Sequence, residues 1–253
     1  MPRDPSGQTY KSLVLSRPMV RAVLAGEKTQ VTELKRRSNT LFNGSQWTRW
    51  ANNQVWDWDK AWLDEGPSPA GNPGPYLHVP WHAGDSAFRD TVHRVYPKIQ
   101  PGTIYWVKEA FATQGKTTFY RTGHEEETSR GPRVDMLWQR AEAMPFERAR
   151  ILLRVTKVDM KRVQDFSEDD ALAQGIENDA WDMAPVARDY TTRNSWFVAW
   201  PMGVNPPHTI VEAEDLFQRS FRSLIEQKHG PCWDQNPWAI VAHVERLNSA
   251  STT

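Results

Sequence analysis

The stretch from residue 150 to residue 178 constrains this chain most, because it dictates a strand followed at once by a capped helix. Residues 150–158 place Ile151, Leu153, Val155 and Lys157 on one face and Leu152, Arg154, Thr156 and Val158 on the other, enough β-branched character for a strand with one partly polar side. Ser167 then stands three residues before Asp170, with Glu168 and Asp169 between them. A hydroxyl there caps the free amides of a first helical turn, and the carboxylates oppose its dipole. Gly175 closes the helix, since glycine adopts the left-handed conformation at little cost.

The rest of the chain supplies three further blocks in order. SLVLSRPMVRAVLAGEKTQ, residues 12–30, reads as an apolar strand over 12–16, a helix over 17–26 with Pro18 in its first turn, and a Gly26-Glu27-Lys28-Thr29 turn. PGTIYWVKEAFAT, residues 101–113, reads as a strand ending in Lys108 and Glu109. GPCWDQNPWAIVAHVERL, residues 230–247, reads as a closing strand. Together with the 135–178 unit, these blocks resemble the ASCH family of the PUA-like superfamily, in particular its phage- and prophage-encoded members. The match covers roughly half the chain. The resemblance implies an α+β fold: a PUA-like mixed β-barrel with peripheral helices, here carrying long Trp-rich insertions.

Composition agrees with one elaborated domain over residues 1–253, a length able to bury a sizeable core. The single Cys232 excludes an internal disulfide framework and suits a reducing cytoplasm. No leader and no apolar run of about 18 residues is evident, so a cytoplasmic protein with no membrane partner is expected. Thirty-one basic residues balance thirty-one acidic ones, so any nucleic-acid footprint must be local rather than a global basic excess. The best local patch is Lys35, Arg36 and Arg37, with Arg21 and Lys28 upstream and Arg49 downstream. A solvated charged loop is the plainer account of that run.

Hydrophobic periodicity fails over about 39–98 and again over about 178–209, which marks two insertions. The first contains Trp47, Trp50, Trp56, Trp58, Trp62 and Trp81 and the turn-rich GPSPAGNPGP at 66–75; the second contains Trp181, Trp196 and Trp200. Helical spacing returns over 212–228. Thirteen tryptophans in so polar a chain admit two explanations. Indole rings stack on unpaired bases, worth about 1–3 kcal/mol per base, and they also anchor irregular insertions to a small core. Trp106, Trp233 and Trp238 lie in the strand-like blocks and are expected to pack. Trp47, Trp50, Trp56 and Trp58, set among basic and amide residues, are the candidates for base contact.

Candidate chemistry centres on Lys28. A turn that delivers an ammonium and a hydroxyl to one place binds an anionic or carbonyl oxygen, and a desolvated lysine activates a nucleophile. The glycine spacing of a phosphate loop is absent. The block resembles the turn of ASCH amidohydrolases that act on 4-acetylcytidine, whose proposed catalytic set is a lysine, a nearby threonine and a later glutamate. The resemblance places the lysine on Lys28. The family runs Lys-Thr-x-Thr, whereas here the order is Lys28-Thr29-Gln30-Val31-Thr32, so either a bulge returns Thr32 to the pocket or Thr29 serves. Where relatives have Glu-Gly this chain has Gln174-Gly175, which leaves Glu177 or Glu109 to supply the carboxylate. An ion pair at the sheet rim is the structural alternative for Glu109.

No metal or cofactor is expected: His78 and His82 have helical spacing, but Pro80 lies between them. Cys232 reads as a packed thiol. Three functions follow from the resemblance. The first is recognition of nucleic acid or a modified nucleobase, with the base in the pocket and phosphate gripped by Lys28, Lys35, Arg36 and Arg37. The second is amidohydrolysis of an acylated nucleoside. The third is an RNA nuclease or an accessory protein that binds a host protein.

Overall fold

The computed structural model describes residues 9–35, 40–42, 47–49, 56–69, 71, 74–81, 92–123, 136–181, 184–192, 195–199, 209–210 and 215–247. The fold is α+β, with strands in several sheets. In chain order it begins β1 (Tyr10–Val14), α1 (Arg17–Ala25), β2 (Gln30–Leu34), β3 (Thr40–Phe42), β4 (Trp47–Arg49), β5 (Trp62–Asp64), β6 (Tyr76–Pro80) and β7 (Val92–Val95). It continues with β8 (Ile104–Lys108), β9 (Phe111–Gln114), β10 (Thr117–Tyr120), β11 (Leu152–Arg162) and α2 (Glu168–Ala173). The last part comprises β12 (Asn178–Trp181), β13 (Ala184–Asp189), β14 (Ser195–Val198), β15 (Thr209–Ile210), α3 (Leu216–His229) and β16 (Trp238–Leu247).

The central sheet is mixed and runs β1-β8-β11-β16-β2, with β1 and β8 parallel and the other pairs antiparallel. Its edge strands are β1 and β2, and α1 carries the chain from one edge to the other. No pairing joins those edges among the described residues, so the sheet is open there. Strand β16 is buried on both faces. Ile240, Ala242 and Val244 pack into the main core with Val20 and Val23 of α1, while Ala239 and Val241 pack on the opposite face with Phe166, Phe221 and Ile225. Two covered faces account for its near-continuous apolar run.

Strand β11 departs from simple alternation. Leu153 and Val155 are buried, yet so are Val158 and Met160, two residues of the other parity. The pairing with β16 slips between Val155 and Lys157, so Thr156 is an extra residue and the strand's inward face changes parity there. The alternation expected from sequence, which sets Val158 opposite Val155, is therefore corrected by one bulge. The helix signals hold: Ser167 accepts the Asp170 amide in a reciprocal capping box, and Gly175 has φ of 72°.

The insertions are more ordered than their sequence patterns suggest. Residues 39–98 contain the β3-β4 hairpin and the β5-β6-β7 sheet, and Trp56, Trp58, Leu77, Val79 and Val95 join the main core. Residues 178–209 contain β12-β13-β14-β15, against which α3 packs. The Ser220 hydroxyl donates to the Arg188 carbonyl at 2.6 Å, and the Ser223 hydroxyl accepts from the Tyr190 amide at 2.9 Å. At the start of α3 the Glu168 carboxylate accepts the Phe217 and Gln218 amides at 2.9 and 2.8 Å, doing the work of a cap from α2. No helix among the described residues is long and apolar enough to cross a membrane.

Candidate functional site

A cavity of ≈ 540 Å³ opens between the edge strand β2, the β1–α1 junction, strand β13 and helix α3. Its apolar wall includes Leu13, Met19, Phe221 and Leu224, and its polar groups include Lys28, Thr32, Glu177, Arg188, Tyr190 and Lys228. This volume suits a small organic ligand.

Lys28 is delivered by the turn that ends α1. Gly26 closes the helix at φ 80°, and the Lys28 amide donates to the Ala22 carbonyl at 3.1 Å. The residue is only 7% exposed. Its Nζ donates to the Gln30 carbonyl at 2.9 Å and to the Gln174 carbonyl. Burial, with the Lys228 charge adding to it, brings the ammonium down to about 7. Two N–H bonds to two carbonyls leave the third position of the nitrogen for a proton or, in the neutral amine, a lone pair.

Thr32 lies four residues from Lys28 and pairs with Val241 in an unbroken β2–β16 register. Its side chain therefore shares the helix-side face of the sheet with Val241. No bulge interrupts β2, and Thr32 lines the cavity in this register. The Thr32 hydroxyl oxygen is buried and has no hydrogen-bond partner. Thr29 is exposed and does not line the cavity.

Gln174 is buried beside Lys28, but its amide is committed to structure: Nε2 donates to Gln30 Oε1 at 2.8 Å, and Gln30 Nε2 donates to Asp170 Oδ1 at 3.0 Å. Burial alone would raise the Asp170 carboxyl, yet bonds from Lys161, Gln30 and Ser167 bring it down to about 2. Glu177 is the carboxylate that reaches the cavity. Burial raises it, against the charges of Arg188 and Arg21. Its amide donates to the Tyr190 hydroxyl at 2.8 Å, so the phenolic proton remains available to a ligand, and burial pushes Tyr190 up to about 12.

Glu109 faces a different cavity, of ≈ 650 Å³, on the other side of the β1–α1 junction. It is 2% exposed, and both its oxygens accept from Arg150, at 2.8 and 2.9 Å. The rim ion pair is thus realised with Arg150, whose guanidinium also lies 4.2 Å from the Tyr120 ring centroid.

Of the residues expected to bind nucleic acid, Lys28 lines the cavity, whereas Arg21, Lys35, Trp56 and Trp58 do not. Arg21 is exposed on α1, and Lys35, beyond the far end of β2, has its ammonium lowered by burial and then by Lys98. Trp56 and Trp58 are 4% and 2% exposed, which leaves them no free ring face for a base. Trp56 packs edge-on against Trp81 and stacks on His93. Trp47 and Arg49 bound β4, while Arg36, Arg37 and Trp50 lie outside the described residues. Trp233 packs with Phe221, and Arg162 covers Trp238, as expected of packing residues. No group of potential metal ligands occurs among the described residues.

Arg188, Tyr190 and Lys228 also line the cavity, with no signal in the sequence. Nothing in their spacing marks them, because the second insertion and α3 bring them to the site. Comparison of the chain with family models, with curated proteins and with solved structures finds no match.

Proposed function

We propose that the chain is a hydrolase that removes an acyl group from an amide nitrogen on a planar nucleobase, with the base seated in the Lys28 cavity. One observation carries the reading: a buried lysine whose ammonium is brought down to about 7 shares a largely apolar cavity with a buried, partnerless hydroxyl and a carboxylate. A groove built for binding alone needs none of these three. Tryptophan is also missing from the cavity lining among the described residues.

The roles follow from the chemistry. Neutral Lys28, with both N–H groups held by carbonyls, takes the Thr32 proton on its lone pair as Oγ1 attacks the acyl carbon. The carbonyl oxygen gains the negative charge, opposite the Tyr190 hydroxyl and the Lys228 ammonium. Collapse breaks the carbon–nitrogen bond, and the leaving amine takes the proton from Lys28. Water, losing its proton to Glu177, then attacks the acyl carbon; the bond to Thr32 Oγ1 breaks, Glu177 returns that proton to Oγ1, and the acyl group leaves as a carboxylic acid. The substrate class comes from the ASCH resemblance. In the same reading the central sheet is a PUA-like barrel wall, supported by α1 linking its two edge strands.

Incubation with a panel of acylated cytidines, followed by mass analysis, tests the proposal. Deacylated product is expected from the wild type and none from Lys28→Ala or Thr32→Val. Unchanged nucleosides with every substrate would reject the activity, and turnover surviving in Lys28→Ala would reject the mechanism.

A further inference from the structure

The two cavities flank one wall: Val14, Leu15 and Ser16, at the end of β1 and the start of α1, line both. The second cavity differs sharply in charge from the first. Arg17, Arg121 and Arg140 line it, against the carboxylates of Glu109 and Glu142. Glu109 is spent on its bidentate pair with Arg150.

The cationic side is held in place by backbone bonds. The Arg121 amide donates to the Ala110 carbonyl at 2.9 Å, and Gln139 exchanges both backbone bonds with Phe111, which fixes the Trp138–Arg140 stretch beside β9. The Arg121 guanidinium lies 5.9 Å from the Trp138 ring centroid. α1 opens onto the same space with no side-chain cap and no acidic residue in its first turn. A planar, permanently charged guanidinium binds phosphate through paired N–H donors, and anchored backbone reduces the ordering that binding would otherwise cost.

We propose that this arginine cavity is a phosphate lobe adjacent to the Lys28 cavity across the β1–α1 junction, so that the substrate is a nucleotide phosphoester rather than a neutral nucleoside. The inference rests on the Lys28 cavity holding the base, and it assigns Arg121 and Arg140 to the phosphate. Phosphate contacts then fall on the β1–α1 junction rather than on the Lys35 patch. The base lies to one side of Val14 and the phosphate to the other.

Calorimetric titration of the full chain with inorganic pyrophosphate probes the lobe by itself, without any need for turnover. Saturable, salt-sensitive binding is expected in the wild type, with a loss of about tenfold or more for each arginine replaced by glutamine. The double variant Arg121→Lys/Arg140→Lys is expected to recover part of that affinity, which a merely structural role would not predict. Because both side chains are exposed, unchanged melting temperatures verify the fold of the glutamine variants. The second arm compares kcat/KM for an acylated cytidine, its 5′-monophosphate and a short oligonucleotide carrying the same base, in wild type and in Arg121→Gln/Arg140→Gln. Preference for either phosphorylated substrate, reduced in the double variant, is the expected result. Absence of pyrophosphate binding, or binding equal in wild type and the glutamine variants, overturns the lobe even if acylated cytidine is hydrolysed. Pyrophosphate binding that depends on the arginines, with every acylated substrate left intact, upholds the lobe and rejects the hydrolase reading instead.

Discussion

Gly175 and Lys28 are packed so closely that a β-carbon on Gly175 would lie 2.8 Å from the Lys28 β-carbon and 3.1 Å from that of Ala22. Gly175 also has φ of 72°, a conformation that side chains resist. The glycine that ends α2 is therefore also the floor against which the lysine stem lies, and the carbonyl just before it holds the lysine nitrogen. Gly175→Ala is expected to destabilise the fold by about 2 kcal/mol or more, from backbone strain and overpacking together. Denaturant unfolding measures the loss, and a variant as stable as wild type would show that the contact relaxes freely.

Thr32 separates function from stability. Its buried hydroxyl has no partner, so replacing it with the similarly shaped valine removes a desolvation penalty rather than a hydrogen bond. Thr32→Val is expected to be neutral or stabilising by about 1 kcal/mol while losing turnover. A clear drop in melting temperature would mean that the hydroxyl is satisfied in solution.

Lys28 titrates near 7 in the folded chain and near 10.5 unfolded. Between those values the unfolded state binds more protons, so its contribution makes stability rise with pH from about 7 towards 10. The rise attributable to this one buried group is on the order of a few kcal/mol. Lys28→Met removes it, and unfolding curves at several pH values through that window compare the two slopes. The same titration predicts that kcat/KM increases through pH 7 as the amine becomes neutral, and a rate falling across that range would assign the lysine to a charged role instead.

The Glu109–Arg150 pair gives a structural counterpart. Removing the carboxylate leaves Arg150 without its bidentate partner, and because Arg150 is 32% exposed the loss is expected at the low end of the buried-pair range, about 3 kcal/mol. Replacing both residues by apolar ones, Glu109→Leu with Arg150→Met, is expected to cost less than Glu109→Leu alone. Urea unfolding of the two singles and the double gives the coupling.

Local signals carried the helices and most of the central sheet. Pro18, Ser167 and Gly175 act on backbone within a few residues of themselves, so their effect is readable from sequence order. The same is true of Lys28, which the α1-closing turn places whatever surrounds it. The bulge at Thr156 was illegible because it depends on how β11 meets β16 and Thr103, not on the strand's own pattern. The insertions read as irregular because their strands are two to six residues long and Trp56 and Trp58 pack across the fold rather than along the chain.

What the sequence by itself determined was the presence of a strand–helix unit and a lysine-bearing turn, both products of local geometry. Tertiary structure alone decided which carboxylate, hydroxyl and cations stand beside that lysine. Glu177, Thr32, Arg188, Tyr190 and Lys228 come together only when β13 and α3 close over the edge of β2, and Glu109 leaves the set because Arg150 binds it. Burial of the lysine, set by neighbours remote in sequence, brings its ammonium down to about 7.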